Sequence, residues 1–256
     1  MPCIERGQCT SEREDGRRLQ LGAEEVDLWL ASLACPPTLA GAMTRTLSAD
    51  EARRQFHFAA DRARFITARA ILRDILSRYL GCTVAQIHFA YKSGGKPNLG
   101  GMQSSKADLR FNLSHCVDTA LYAISRGREL GVDIESIHPE VPWERLANSF
   151  FAPSEIAKLQ RWPTHQRPVG FFTYWTLKEA YLKARGDGLL IPLDSFELSA
   201  APGEEPALLA TADPSELERW SFWEIPLGES FAAALVAEGR PSRVRLLTWH
   251  GTKLPV

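Results

Sequence analysis

Gly131-Val132-Asp133-Ile134-Glu135 and, downstream, Trp175-Thr176-Leu177-Lys178-Glu179-Ala180-Tyr181-Leu182-Lys183 carry the reading of this chain. The first stretch alternates as a strand does, with Val132 and Ile134 turned to a core and Asp133 and Glu135 together on the other face. The second has helical spacing, which puts Glu179 and Lys183 on one face. A strand and a helix packed together here would bring three carboxylates and one ammonium to a single place, a set of groups suited to Mg²⁺ and a phosphate ester. Two like charges on one strand face repel unless a cation or a basic side chain neutralises them. Taken singly, Asp133 and Glu135 also fit a solvated strand, and Glu179 with Lys183 fits a helix pair of about 0.3–0.5 kcal/mol. The helix is rich in aromatic residues (Phe171, Phe172, Tyr174, Trp175 and Tyr181), so it packs against a core, where ionised groups need partners.

Working outward, residues 26–31 alternate as a first strand, which Pro36-Pro37 ends. Ser48-x-x-Glu51 is a capping box. Phe65, Leu72, Ile75, Leu76 and Tyr79 recur at helical spacing until Gly81. Residues 87–91, 110–113 and 119–125 read as strands, and residues 93–97 as a turn. Arg126-Gly127-Arg128 is a polar turn and a domain boundary. Another helix opens at Ser154 and Glu155. The long helix, 169–184, stops at Gly186. Strands 195–198 and 221–225 follow, with 231–237 as the last. Phe111-Asn112-Leu113-Ser114 and Phe196-Glu197-Leu198-Ser199 each follow a long helix and precede an apolar strand, a faint internal repeat. The expected fold is α+β, two similar α/β halves in a pseudo-twofold arrangement. Residues 1–20 read as a polar, flexible tail, 21–127 as the N-terminal half and 128–256 as the C-terminal half with the acidic motifs. The element order is not the regular alternation of a doubly wound sheet.

Composition narrows the class. The chain has 256 residues, 45% hydrophobic and 24% charged, with a formal net charge of -1. That balance is ordinary for a soluble globular protein and makes no electrostatic case for nucleic acid. Apolar runs are too short to span a bilayer, and residues 1–18 lack the apolar core of a signal peptide. The five cysteines, at 3, 9, 35, 82 and 116, form no C-x-x-C pair and are odd in number, which favours reduced thiols in the cytoplasm over disulfides or zinc.

Other residues carry weaker signals. Ser114 and His115 end a strand and offer a hydroxyl and an imidazole to a phosphate. Cys116 beside them reads as a small packed residue and not as a nucleophile, since strand neighbours face opposite ways. Gly94-Gly95-Lys96-Pro97 is too short for a phosphate-cradling Walker loop, yet Lys96 next to Pro97 would suit a phosphate contact. Arginines 53, 54, 62, 64, 69 and 73 crowd one helical region, either a solvated face or a receiver for a multiply charged anion.

Four ordered motifs, Gly95-Lys96-Pro97, Phe111-Asn112-Leu113-Ser114-His115, Gly131-Val132-Asp133-Ile134-Glu135 and Trp175-x-x-Lys178-Glu179-Ala180-x-x-Lys183, resemble the 4′-phosphopantetheinyl transferase family, of the long two-halved (surfactin-synthetase-activating, Sfp-like) type. Phe150-Phe151-Ala152-Pro153-Ser154-Glu155 and Gly186-Asp187-Gly188-Leu189 also look like family features, and the match spans residues 47–198. The resemblance implies that coenzyme A, as co-substrate, donates its 4′-phosphopantetheine arm to a serine of an apo acyl or peptidyl carrier protein, releasing adenosine 3′,5′-bisphosphate. It implies Mg²⁺, with Mn²⁺ as an alternative, on Asp133, Glu135 and Glu179. It assigns coenzyme A contacts to Lys96, Ser114, His115, Asp133 and Lys183, and the 3′-phosphate to Arg64 and Arg69. Glu179, Lys183 and His115 are the expected catalytic groups, with Glu179 as base toward the serine, directly or through a metal-bound water. Residues 181–191 are the expected carrier-docking segment. The protein is expected to be a cytoplasmic monomer with no nucleic-acid or membrane partner. Two other readings use the same residues: a Mg²⁺-dependent phosphohydrolase with water as nucleophile, and a non-catalytic module that binds coenzyme A or a carrier.

Overall fold

Alternation along two strands sets the layers. In β2 (Glu25–Ser32), Val26 and Leu28 face one apolar cluster while Trp29 and Ala31 face another. In β7 (Leu130–Ser136), Leu130, Val132 and Ile134 join the same cluster as Val26 and Leu28. Two sheets therefore meet face to face, with Leu121, Ala123, Trp223 and Leu235 completing the layer between them. Each fully buried Val, Leu or Ile contributes about 1.5–3 kcal/mol, so this double layer fixes the register of both strands. The odd-numbered residues of each strand face a long helix, α3 (Ala59–Leu80) in the first half and α6 (Arg167–Arg185) in the second.

The structure, a computed structural model, describes residues 4–7, 18–34, 37–91, 96–101, 108–138, 140–186 and 191–250. After β1 (Ile4–Arg6), the first half runs β2, α1 (Pro37–Thr44), α2 (Ala49–Arg53), α3, the hairpin β3 (Phe89–Tyr91) and β4 (Pro97–Leu99), then β5 (Leu109–Cys116) and β6 (Thr119–Arg126). The second half repeats that order: β7, α4 (Trp143–Phe150), α5 (Pro153–Gln160), α6, the hairpin β8 (Glu197–Ser199) and β9 (Ala207–Ala210), a short α7 (Glu216–Arg219), then β10 (Trp220–Glu224) and β11 (Phe231–Glu238). Antiparallel pairing gives β2-β6-β5 in one sheet and β7-β11-β10 in the other. A final strand, β12 (Arg243–Thr248), returns to the first sheet and pairs in parallel with both β2 and β1.

The repeat reaches into the buried chemistry. The long helices end at Gly81 and Gly186, both left-handed, with φ of 66° and 80°. At the same distance before these glycines stand Arg73 and Lys178. Arg73 reaches buried Glu51 at 2.5 Å and also donates to the Ile87 carbonyl. Lys178 reaches buried Glu155 at 2.9 Å and the Leu193 and Phe196 carbonyls at 2.7 and 2.8 Å. In each half a buried cation ties the long helix to a glutamate on the short helix before it and to the chain after it.

Several expectations are corrected. Phe111–Ser114 and Phe196–Ser199 are not counterparts: the first lies in β5, the second at β8, whose counterpart is β3. The repeat is real, but that tetrapeptide match is coincidental. Residues 231–237 are not the last strand, and part of the expected polar tail, Ile4–Arg6, is an edge strand against β12. Leu193–Ser195 form a single 3-10 turn ahead of β8. Helices α1 and α4 were not anticipated; each is only two turns long. Residues 93–95 of the expected turn lie outside the described residues.

Candidate active site

The two halves are stitched where β5 runs beside β7. Side chains two apart on β5 point the same way, and three of them reach across. Asn112 Oδ1 accepts from the Val132 amide at 2.9 Å, Ser114 Oγ donates to Asp133 Oδ1 at 2.8 Å, and Cys116 Sγ accepts from the Ser136 amide at 3.2 Å. From the other side α6 lies directly on β7. Only a glycine admits this approach, since a Cβ on Gly131 would stand 2.1 Å from the Ala180 carbonyl oxygen and 2.4 Å from the Ala184 nitrogen. The close contact delivers Lys183 Nζ to Asp133 Oδ1 at 2.5 Å and to Ser114 Oγ at 3.0 Å. A cleft of about 460 Å³ opens at this seam, lined by Arg54, Arg64 and Arg69 from the first half's helical segment, by Ser114 and His115, and by Lys183.

The acids are electrostatically coupled. Asp133 is buried, and its Oδ2 has no hydrogen-bond partner among the described residues. Burial first, and then repulsion from Asp133, raise the pKa of both Glu135 and Glu179; Lys183 opposes the rise in each. The all-oxygen donor set, the orphaned Oδ2 and the crowding of three carboxylates around one ammonium fit a hard divalent cation. Among the described residues, no three acidic, His or Cys side chains already close into a ligand cage, and the Lys183 ammonium stands at Asp133 in the cation's stead. The imidazole of His115 is shifted the other way: removal from bulk water in the cleft, then Lys183, Arg64 and Arg69, lower its pKa.

The cleft cations differ in kind. Arg69 is buried, its Nη1 unpaired among the described residues, with the Phe65, Phe89 and Tyr91 rings about its guanidinium. A buried guanidinium edge without an acceptor suits an anion entering the cleft. Arg64 is held at the rim by Asp118 and Asp61. Arg54, one of the arginine run but not singled out from it, lies over the Phe65 ring and lines the cleft; its spacing to Phe56 is the signal that would have found it.

Two expectations change here. Lys96 is not turned into the cleft: its Nζ donates to the Lys183 carbonyl at 2.8 Å and the Leu130 carbonyl at 3.1 Å, capping the negative end of α6 where it meets β7. The described part of segment 181–191 is not an open surface. Tyr181 is fully buried with its hydroxyl on Glu216, and Arg185 is engaged by Tyr181 and Glu216. Residues 187–190 lie outside the described residues.

A mixed α/β fold with buried acids beside an arginine-lined cleft suits an enzyme that handles phosphorylated substrates. The chain belongs to the 4′-phosphopantetheinyl transferase superfamily. The family model of that description matches residues 129–236, and a model for the N-terminal part of 4′-phosphopantetheinyl transferase matches residues 38–126. The chain is 41% identical to the 4′-phosphopantetheinyl transferase HetI of a Nostoc species, over 86% of this chain and 91% of the relative. It is 29% identical to a Bacillus subtilis 4′-phosphopantetheinyl transferase, over 70% of this chain and 84% of the relative. To the enzyme Sfp, also from Bacillus subtilis, it is 29% identical over 57% and 62% of the two chains. No helix among the described residues is long and apolar enough to cross a membrane.

Proposed function

We propose that this chain transfers the 4′-phosphopantetheine arm of coenzyme A to a serine of an apo acyl or peptidyl carrier protein in the cytoplasm, acting as a monomer with Mg²⁺. The observation that carries the reading is the three-way contact of Lys183, Ser114 and Asp133 at a cleft whose other lining is Arg54, Arg64 and Arg69. Asp133, Glu135 and Glu179 would hold the cation, which supplies charge neutralisation at the diphosphate when bound. Lys183, Ser114 and His115 donate to the diphosphate oxygens. His115, held neutral at pH 7 by its lowered pKa, donates through one ring N–H and gains charge as the polyanion arrives. Arg64 and Arg69 receive the 3′-phosphate.

In the transfer, the carrier serine oxygen forms a bond to the β-phosphorus and the bridging P–O bond breaks. Adenosine 3′,5′-bisphosphate leaves. Glu179 takes the serine proton, a role suited to a carboxylate whose pKa is raised by burial.

Intact-mass measurement of a panel of apo carriers after incubation with the protein, Mg²⁺ and coenzyme A tests the proposal. The expected result is a phosphopantetheine mass gain on at least one carrier, abolished by Glu179→Gln. Hydrolysis of coenzyme A without any carrier would move the assignment to a phosphohydrolase, and binding without transfer to a non-catalytic module.

A further inference from the structure

Arg64 is a cleft cation held by two carboxylates at the rim. Its Nε donates to Asp118 Oδ1 at 2.9 Å and its Nη1 to Asp61 Oδ1 at 3.3 Å. Asp61 lies one turn earlier on α3 and lines the cleft. Asp118 comes from the tight turn between β5 and β6, and that turn is strained. Val117 has a φ of 51°, a left-handed conformation that costs a β-branched residue energy. The residue is 52% exposed, so burial does not offset the cost. Such strain persists where neighbouring contacts hold it, and this turn is what carries the Asp118 carboxylate to Arg64.

We propose that Asp61 and Asp118 are internal counter-ions of Arg64, displaced by a phosphate monoester on binding and reclaiming the guanidinium when that monoester leaves. The pair thereby limits how tightly the cleft retains the 3′-phosphate of its nucleotide product. This rests on the coenzyme A reading given above. Exposed carboxylate–guanidinium pairs are individually weak, whereas a phosphate dianion can take two parallel charge-assisted hydrogen bonds from one guanidinium. The dianion therefore wins while it is present, and the carboxylates restore a neutral rim afterwards. A rim of uncompensated arginines would hold the bisphosphate, and product release limits turnover in many enzymes.

The test is calorimetric binding of adenosine 3′,5′-bisphosphate and of adenosine 5′-monophosphate, which lacks the 3′-phosphate, to the full chain at low salt. Asp118→Asn keeps the shape of the side chain and removes its charge. It should tighten the bisphosphate about two- to fivefold, the range of an exposed ion pair, and leave the monophosphate unchanged. In an Arg64→Gln background the same substitution should have no effect. Weaker bisphosphate binding by Asp118→Asn would overturn the proposal and make Asp118 an orienting group. Equal tightening of both nucleotides would overturn it as well, since the effect would then be general field. A wild-type protein that binds both nucleotides alike sinks this inference alone, while one that binds neither sinks the coenzyme A reading along with it.

Discussion

Lys183 Nζ and Asp133 Oδ1 stand 2.5 Å apart, so a single ion pair joins the helix that carries Glu179 to the strand that carries Glu135. A divalent cation at these carboxylates must take Asp133 from the ammonium and leave Lys183 to the diphosphate. Mn²⁺ or Mg²⁺ at about a hundred times its dissociation constant should stabilise the wild-type fold by about 2.7 kcal/mol. Asp133→Asn should lose that stabilisation and the transfer activity together. Thermal melts with and without the ion read the result; equal shifts in wild type and variant would remove Asp133 from the site.

The same acids set a pH dependence. Glu135 and Glu179 have pKa values raised above the ordinary 4.5. For a carboxylate raised in the folded state, protonation favours the fold, so the metal-free contribution improves as pH falls through the raised values toward 4.5. The cation needs the ionised forms and binds more weakly over the same range. Stabilisation by Mn²⁺ should therefore shrink as pH falls from neutrality through the raised values toward 4.5. A shift of constant size across that range would show that neither glutamate contributes.

Gly131→Ala should separate α6 from β7. The added Cβ meets backbone atoms of Ala180 and Ala184 at 2.1 and 2.4 Å, which no side-chain rotation relieves. A loss of about 3 kcal/mol or more is expected, with transfer activity lost even where the variant folds. Urea unfolding and a carrier-loading assay check both parts, and retention of full activity would contradict the packing.

Lys178 belongs to the same motif as Glu179 but serves the core. It is completely buried and satisfied by Glu155 and two carbonyls. Lys178→Met leaves Glu155 uncompensated and should cost about 3–5 kcal/mol. Lys178→Met with Glu155→Gln should recover much of that loss in urea unfolding and retain substantial turnover. A stable double variant with no turnover would give Lys178 a direct part in the chemistry.

Val117→Gly should raise stability by about 1 kcal/mol, since glycine takes the left-handed conformation without a Cβ penalty and the lost side chain is largely exposed. A lower melting temperature would mean that the valine packs against something that offsets its strain.

Local periodicity made much of the fold legible. The acidic strand, both long helices with their terminal glycines, and the antiparallel β5–β6 pair follow from alternation, helical spacing and capping residues, interactions that span a few positions. Strands β1 and β12 were not legible, because they are held by each other and by β2 across most of the chain. Lys96 was misplaced for a similar reason. A lysine beside a proline suggested a phosphate, but its acceptors are carbonyls that only the contact of α6 with β7 brings near.

By itself the sequence determined which residues share a face: Asp133 with Glu135, and Glu179 with Lys183. Only the tertiary structure decided why the second half alone carries the acidic strand pair. Ser32 pairs with the first residue of β6 and Ser136 with the first residue of β11. Counted back from these, β2 presents Trp29 and Ala31 to α3 where β7 presents Asp133 and Glu135 to α6. Helix α3 retains the partner pair, Asp74 and Arg78 at 2.7 Å, in the positions of Glu179 and Lys183. There Arg78 lies over the Trp29 ring and Trp249, just past β12, donates to Asp74. One half filled the place with apolar bulk and closed it with the returning chain. The other carries carboxylates whose mutual repulsion suits the cation proposed above.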